Sequence, residues 1–200
     1  MKKVKDHYYK KAKKEKYPSR SVYKLEEIQQ KYRILKPGDR VLDLGYRPGS
    51  WTMFAARTIG AKGLVVGIDL YRGKNPYVTD AAEIRLHHTD IFSENALNTI
   101  KKDCPSFNVV LSDLAPKTTG HKLADHLLSV ELSKRALELA ESLLSNGGTF
   151  YCKVFQGEDF PLFVNEIRQC FKTTKVVKPK SSRSESREVF VLGQKFKRRM

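Results

Sequence analysis

The chain has 200 residues, which suits one domain with a sizeable core, and 40% of them are hydrophobic. Its formal net charge of +16 favours a polyanion partner, and RNA, DNA and an anionic membrane all fit that charge. No apolar run approaches the roughly 18–20 residues of a membrane span, and the three cysteines match no zinc-site spacing, which argues against a membrane-spanning protein and a zinc protein.

The positive charge is concentrated at the two ends of the chain. Residues 1–20 hold nine Lys/Arg and two Asp/Glu, residues 172–200 hold ten and two, and the 151 residues between them carry a net charge of only +1. Basic residues interleaved with aromatic ones can contact phosphates and stack on bases. Solubilising tails are the alternative interpretation. If the partner is RNA, we expect contacts from Lys10, Lys13, Lys14, Arg20, Lys178, Lys180 and Arg183.

The first predicted helix follows the N-terminal basic segment. An apolar stripe from Val22 to Ile28 has helical spacing, and Ser19 or Ser21 could cap the helix. Lys24 lies off that stripe. From this window alone it reads as a solvated lysine.

The stretch Arg40–Trp51, RVLDLGYRPGSW, predicts a strand, a glycine loop and a helix. The run 41–44 is a short buried strand, and a helix is predicted over 51–59. Gly45 at the strand end lets backbone approach a ligand. The pattern resembles the nucleotide-binding first turn of a doubly wound α/β fold, although G-x-x-x-G is not the dinucleotide fingerprint. A purely structural turn is the alternative.

Acidic residues follow the next two predicted strands. Residues 64–68 form the second strand and end at Asp69, which is placed to accept hydrogen bonds from ribose hydroxyls. A helix cap or turn aspartate is the alternative role for Asp69. After a loop over 73–80, a third strand over 84–88 leads to Asp90.

Two further strands carry polar residues that need an explanation. Residues 107–111 form a fourth strand, after a helix over 93–101, and Asp113 occupies the strand's carboxyl end, where open α/β sheets bind ligands. A long helix then ends at Asn146-Gly147-Gly148. The fifth strand, 149–155, contains Lys153 among apolar neighbours (FYCKVF), and burying an ammonium is costly unless it is paired.

The C-terminal part completes the predicted sheet. A helix over 159–171 and a strand over 173–177 precede the basic loop, and the last strand, 188–192, follows that loop directly, which favours antiparallel pairing. We therefore predict an α/β fold with a seven-stranded, mostly parallel sheet, an antiparallel last strand and helices on both faces. Residues 1–200 form a single domain with basic extensions over 1–20 and 195–200.

Five stretches of the chain resemble one known family. SRSVYKLEEI, VLDLGYRPGSW, SDLAP, CKVFQGE and KPKSSRSESREVFVL, with Lys24, Asp113, Lys153 and Glu188 in matched contexts, are similar to the FtsJ/RrmJ (RlmE) family. These are S-adenosylmethionine-dependent ribose 2′-O-methyltransferases, and their best-known bacterial members act on large-subunit ribosomal RNA. The resemblance spans roughly residues 3–194.

The resemblance implies a Rossmann-like class I methyltransferase that modifies a uridine of large-subunit (23S-type) ribosomal RNA and needs no metal. It makes Asp69 the ribose contact and Asp90 the contact at the adenine end of the cofactor. Lys153 would be the base, or mainly an orienting donor. The implied catalytic residues are Lys24, Asp113, Lys153 and Glu188. The implied residues around S-adenosylmethionine are Gly45, Gly49, Trp51, Asp69, Asp90 and Asp113.

The glycine loop departs from the family pattern. The family's usual loop is close to GAAPGGW, and this chain has Tyr46, Arg47 and Ser50 in place of two alanines and a glycine. Larger side chains at these positions are expected to weaken cofactor binding or to change the position in which the cofactor binds. An RNA-binding or ribosome-assembly factor on the same fold is therefore the second hypothesis. The N-terminus has no apolar signal core, and we expect a cytoplasmic monomer with RNA as partner.

Overall fold

The computed structural model describes residues 7–73, 80–183 and 185–198, so most of the loop predicted over 73–80 lies outside the described residues. In chain order the elements are α1 (His7–Lys14), α2 (Val22–Tyr32), β1 (Arg40–Leu44), α3 (Ser50–Ile59), β2 (Leu64–Asp69), β3 (Glu83–His88), α4 (Ala96–Asp103), β4 (Phe107–Ser112), α5 (Lys122–Leu143), β5 (Leu144–Phe155), α6 (Phe160–Cys170), β6 (Phe171–Val177) and β7 (Glu188–Phe196). Among the described helices, none is long and apolar enough to cross a membrane.

The seven strands form one sheet in the order β3-β2-β1-β4-β5-β7-β6. Strands β1 to β5 pair in parallel with their neighbours, and β7 runs antiparallel to both β5 and β6. The predicted mostly parallel sheet with an antiparallel last strand is confirmed. Strand order reverses at β1 and β4, and such a switch point is where open α/β sheets bind ligands, outside the carboxyl ends of the strands.

Helices cover both faces of the sheet, as predicted. One apolar layer joins the sheet to α4, α5 and α6, through side chains such as Ile100, Leu139 and Phe163. The other layer joins it to α2 and α3, through Leu25 and Ala55. Burial on both faces explains why the central strands read as continuous apolar runs in the sequence. The three cysteines are buried free thiols.

The N-terminal basic segment contains a helix that packs on the body of the protein. Ala12 of α1 is buried against Val22 and Tyr23 of α2. The Tyr23 hydroxyl donates to Glu15 at 2.9 Å, and Lys11 pairs with Glu26 at 3.4 Å. This packing holds α1 in place while the side chains on its outer face, those of Lys10, Lys13 and Lys14, stay exposed.

Three local expectations differ from the structure. The long helix ends at Leu143, before Asn146, because Leu144 already pairs with Phe107 as the start of β5 and a register shift follows. Helix α4 begins three residues later than expected, at Ala96.

The serine cap of α2 is the third difference. Ser21 makes no capping bond, because its hydroxyl lies 2.7 Å from that of Ser19, which also bonds the Ser50 hydroxyl at 3.0 Å. The serines therefore join the start of α2 to the start of α3.

Candidate active site

The lysine inside β5 is paired with the aspartate that follows β4. Ser112 of β4 pairs with Cys152 of β5, so parallel register carries Asp113 alongside Lys153. The Lys153 ammonium donates to the Asp113 main-chain oxygen at 2.7 Å and lies 3.0 Å from Oδ1 of its carboxylate. Lys153 is only 6% exposed. The pairing supplies the counter-charge that a lysine in an apolar strand requires.

A second buried ion pair joins α2 to β7. Nζ of Lys24 lies 2.7 Å from Oε1 and 2.8 Å from Oε2 of Glu188. Their side chains are only 10% and 13% exposed, so the interpretation of Lys24 as a solvated lysine is wrong. Burial alone would raise the pKa of Glu188, but attraction and a hydrogen bond from Lys24 outweigh it and hold that pKa below its usual value.

The two pairs are neighbours on one face of the sheet. Glu188 lies opposite Phe155 in the antiparallel β5–β7 ladder, and Lys153 precedes Phe155 by two residues. Side chains two apart on a strand share a face, so Lys153 and Glu188 are diagonal neighbours. The Lys153 charge also contributes to the lowered pKa of Glu188. The structure thus brings together Lys24, Asp113, Lys153 and Glu188.

Beside these pairs is a cavity of about 670 Å³ at the carboxyl ends of the strands. Gly45, Asp69, Asp90 and Asp113 line it, with apolar walls that include Ile91, Phe92 and Leu114. Gly45 has φ +77°, and a Cβ there would come within 2.6 Å of Leu114. A side chain would therefore strain the backbone and collide with the cavity wall, which explains the glycine at this point.

Asp69 fastens two loops at the edge of this cavity. Its carboxylate accepts hydrogen bonds from the backbone N–H of Arg47, at 3.1 Å, and of Tyr71, at 2.9 Å. The alternative interpretation of Asp69 as a turn aspartate is therefore partly right. A carboxylate has about four acceptor positions, so these two bonds leave capacity for ribose hydroxyls.

Gly49 and Trp51 do not line the cavity. Gly49 precedes α3 with φ +104° and is buried. The Trp51 indole donates to the Ser21 main-chain oxygen at 2.8 Å and stacks on Tyr151 with ring centroids 5.6 Å apart. Because these contacts turn the indole into the core, Trp51 holds α2 against α3 and so supports the position of Lys24.

Two of the three unusual loop residues also point away from the cavity. Tyr46 is 3% exposed, its hydroxyl accepts a hydrogen bond from the Gly73 N–H at 2.8 Å, and its ring fills space beside Gly67, where a Cβ would come within 3.2 Å of it. The Ser50 hydroxyl is engaged with Ser19. Only Arg47 lines the cavity, so the expected crowding is limited to that residue.

Replacing Tyr46 with alanine should therefore destabilise the protein without tightening cofactor binding. Loss of a buried aromatic ring costs about 3 kcal/mol, and the hydrogen bond to the Gly73 N–H disappears with it. Chemical denaturation gives the change in unfolding free energy, and calorimetry gives cofactor affinity. Tyr46→Phe, which keeps the ring and removes only the hydroxyl that accepts from the Gly73 N–H, is the matched control. A tighter-binding, fully stable Tyr46→Ala protein would show that the ring does crowd the cofactor.

The sequence analysis missed one charged residue close to this cavity. Asp43 lies inside β1 and is completely buried, with Oδ2 accepting a 2.6 Å hydrogen bond from Thr52 and Oδ1 without a partner in the described part of the chain. Burial raises its pKa to about 7, and the Asp113 and Asp69 charges add to this effect. An aspartate within the apolar run VLDL is the same signal that singled out Lys153.

The Asp43 carboxylate should make stability depend on pH in the absence of ligand. Its pKa is about 7 in the folded protein against 3.8 for the free group, so the folded state holds the extra proton between those values. Stability should then fall as pH rises from 4 to 7, by up to about 1.4 kcal/mol per pH unit. Asp43→Asn keeps an acceptor for Thr52 and should flatten that slope. Equal slopes for both proteins would contradict a buried, protonated Asp43.

A second cleft, of about 380 Å³, opens directly on the Lys24–Glu188 pair. Arg20 and Arg183 line it, and the Arg20 guanidinium donates to the Ser181 main-chain oxygen at 3.3 Å. Burial, followed by repulsion from Arg183, lowers the pKa of Arg20. Basic residues from both ends of the chain therefore meet beside the buried ion pairs.

The rest of the basic loop folds near this cleft. Lys178 donates to the Ser186 main-chain oxygen at 2.9 Å, and the Lys180 backbone N–H donates to Glu27 of α2 at 2.8 Å. Both lysines are exposed. These contacts hold the basic loop against α2, so the loop is not a remote tail.

The strand order, the antiparallel β7 between β5 and β6, and the cavity at the strand ends define a Rossmann-like class I methyltransferase. The model of the FtsJ-like methyltransferase family matches residues 17–196. The chain belongs to that family.

Relatives with assigned activities agree with the family. A "Ribosomal RNA large subunit methyltransferase E" of Desulfotalea psychrophila is 49% identical over 198 residues, which cover 99% of this chain and 98% of that protein. The protein of the same name from Syntrophobacter fumaroxidans is 43% identical over 195 residues, 98% of each chain. A crystal structure from Plasmodium falciparum, assigned as a ribosomal RNA methyltransferase, has a TM-score of 0.77 and 26% identity, covering 92% of this chain and all of that one.

Proposed function

We propose that this methyltransferase transfers the methyl group of S-adenosylmethionine to a ribose 2′-hydroxyl in large-subunit ribosomal RNA, with a uridine as the target. The observation that carries the proposal is the juxtaposition of the Lys153–Asp113 and Lys24–Glu188 pairs, with Asp113 in the wall of the cavity and Lys24 and Glu188 in the wall of the second cleft. The names of the relatives support the choice of RNA. We expect the protein to act as a monomer in the cytoplasm.

The cavity suits S-adenosylmethionine in size and chemistry. About 670 Å³ is within the range of sites for small-molecule ligands. Asp69 and Asp90 offer acceptors for ribose hydroxyls and an amine, Ile91 and Phe92 offer apolar surface for a purine, and Asp113 adds a negative charge that favours a cation. When bound, the sulfonium supplies an activated methyl group.

The buried pairs would position the acceptor hydroxyl and manage its proton. Methyl transfer is an in-line displacement, so much of the rate comes from holding the reacting oxygen in place. Lys153, fixed by Asp113, would contact the 2′-oxygen. As an ammonium it would orient the hydroxyl; as a neutral amine, after losing a proton to solvent, it would take up the hydroxyl proton. Lys24 and Glu188 would hold the ribose from the side of the second cleft.

The basic residues around that cleft should supply much of the attraction to RNA. Substituting Lys178, Lys180 and Arg183 with glutamine should weaken RNA binding and flatten its salt dependence, by about 0.7 in the log–log slope for each phosphate that the protein no longer neutralises. A triple variant of Lys10, Lys13 and Lys14 tests α1 in the same way, and leaves Ala12 packed. RNA affinity at several salt concentrations measures both effects. Slopes equal to that of the wild-type protein would support the solubilising-tail interpretation.

The second hypothesis, an RNA-binding or assembly factor with impaired cofactor binding, rests on Arg47 at the cavity. Calorimetry with S-adenosylmethionine, followed by transfer of a labelled methyl group to large-subunit RNA, distinguishes the two. We expect saturable cofactor binding that Asp69→Ala weakens, and label in the RNA. RNA binding without cofactor binding and without label in the RNA would favour the second hypothesis.

A further inference from the structure

Three exposed side chains from three different loops meet at the rim of the cofactor cavity. Arg47 comes from the loop after β1, Tyr71 from the loop after β2 and Lys117 from the loop after β4. The Arg47 guanidinium carbon lies 5.6 Å from the centre of the Tyr71 ring, and Nζ of Lys117 lies 5.5 Å from the same centre. We call these residues the rim cluster.

The rim cluster brings two positively charged side chains close to each other. The distances to the shared ring place the two cations no more than about 11 Å apart. Across the described ranges, neither Arg47 nor Lys117 forms an ion pair with a carboxylate. Lys117 is charged at neutral pH like any exposed lysine, and interaction with Tyr71 raises its pKa further. Uncompensated cations on an aromatic platform are the groups that bind a phosphate and its nucleotide.

The path of the substrate favours RNA as the source of that phosphate. Asp113 belongs both to the catalytic pairs and to the cavity lining, and Lys117 follows it by four residues. The basic cleft of Arg20 and Arg183 lies on the other side of the pairs. We expect an RNA strand whose ribose reaches the cavity from that cleft to continue past the cavity rim.

We propose that Arg47, Tyr71 and Lys117 bind a backbone phosphate of the RNA on the cofactor side of the reacting ribose. The proposal rests on the proposed function, because it takes RNA as the acceptor. It also gives a role to Arg47, the one unusual loop residue that faces the cavity. RNA would then be held at two places, one on each side of the methylated nucleotide.

The test compares charge-removing and charge-keeping variants of the rim cluster. Binding of a short mixed-sequence single-stranded RNA is measured over a range of salt concentrations, in the presence of S-adenosylhomocysteine. The double variant Arg47→Gln, Lys117→Gln should lose several-fold in affinity at low salt and about 0.7 in the log–log salt slope, the change expected for one phosphate that is no longer neutralised. Arg47→Lys with Lys117→Arg should keep the slope. The matched control is Lys62→Gln with Lys101→Gln. It removes two exposed charges from segments that precede the amino ends of β2 and β4, whereas the rim cluster follows the carboxyl ends of strands.

Cofactor affinity and chemical labelling complete the test. S-adenosylhomocysteine affinity, measured without RNA, should not fall by more than about twofold from the wild-type value, and RNA should protect Lys117 of the wild-type protein from an amine-reactive reagent. Loss of cofactor affinity with an unchanged RNA slope would assign the cluster to the cofactor carboxylate and overturn the proposal. An unchanged salt slope of RNA binding, together with no protection of Lys117 from labelling, would mean that the cluster only holds the loops together. That result would also overturn the proposal. Because binding is measured without methyl transfer, an inactive protein with the expected slope change would refute the proposed function alone.

Discussion

Lys153→Ala is expected to reduce methyl transfer by about 10²- to 10⁴-fold, the range that a positioned proton acceptor contributes. Lys153 is held through contacts of 2.7 and 3.0 Å by Asp113, which lines the cavity. The loss should fall on the rate at saturating cofactor and RNA, because Asp69 and Asp90, the proposed cofactor contacts, are unchanged in this variant. Single-turnover methylation of large-subunit RNA measures it.

Lys153→Arg separates the two roles that a lysine can have here. Arginine keeps the positive charge and the hydrogen-bond donors but does not lose its proton in proteins. If Lys153 accepts the proton, the arginine variant should be as inactive as the alanine variant. If Lys153 mainly orients the hydroxyl, it should keep part of the activity. Lys102→Ala, an exposed charge removal on α4, is the control. Near-wild-type turnover by Lys153→Ala would contradict the assignment altogether.

Breaking the Lys24–Glu188 pair is expected to cost both stability and activity. Removing one partner of a buried ion pair leaves the other charge uncompensated, which costs about 3 kcal/mol. Lys24→Met and Glu188→Gln should each show this loss. The double variant should be less destabilised than the sum of the two, by about 1–3 kcal/mol, because the charges are removed together. Chemical denaturation of the four proteins gives the coupling energy, and strict additivity would contradict a direct pair.

Acid sensitivity gives an independent check on this pair. Burial acts to raise the pKa of Glu188 in the folded protein, but the charge of Lys24 and its hydrogen bond lower it, and the net effect is a lowered pKa. Its contribution to stability is therefore present above the ordinary carboxyl pKa of 4.5 and is lost as pH falls through the lowered value. The Glu188→Gln protein should lack that part of the acid transition, whereas Glu185→Gln, a carboxylate of the same cleft, should retain it.

The sequence was informative where a residue conflicted with its own surroundings. Lys153 in an apolar strand predicted a buried partner, and the structure supplies Asp113. Gly45 and Asp69 followed from their places at strand ends, where the topology of an open α/β sheet puts the ligand. Asp43 carried the same local conflict as Lys153 and was overlooked because the surrounding run read so clearly as a strand.

Contacts between distant parts of the chain could not be predicted from the local sequence. Lys24 looked solvated because its partner, Glu188, is 164 residues away in the chain. Trp51 stood next to the glycine loop, yet its indole packs into the core against Tyr151. From the sequence, Tyr46 was expected to crowd the cofactor, but in the structure its ring packs beside Gly67 and Gly73. Each outcome depends on tertiary packing, which no local window contains.

The position of the transferred methyl group tests the central claim most directly. Purified protein is incubated with large-subunit RNA and S-adenosylmethionine labelled in its methyl group, and the RNA is then digested with alkali. Alkaline cleavage needs a free 2′-hydroxyl, so a 2′-O-methyl nucleotide stays joined to its 3′ neighbour. We predict that the label appears in alkali-resistant dinucleotides and is absent with the Lys153→Ala protein. Label in single nucleotides, which would indicate a methylated base, or no label in RNA that binds the protein, would contradict the account.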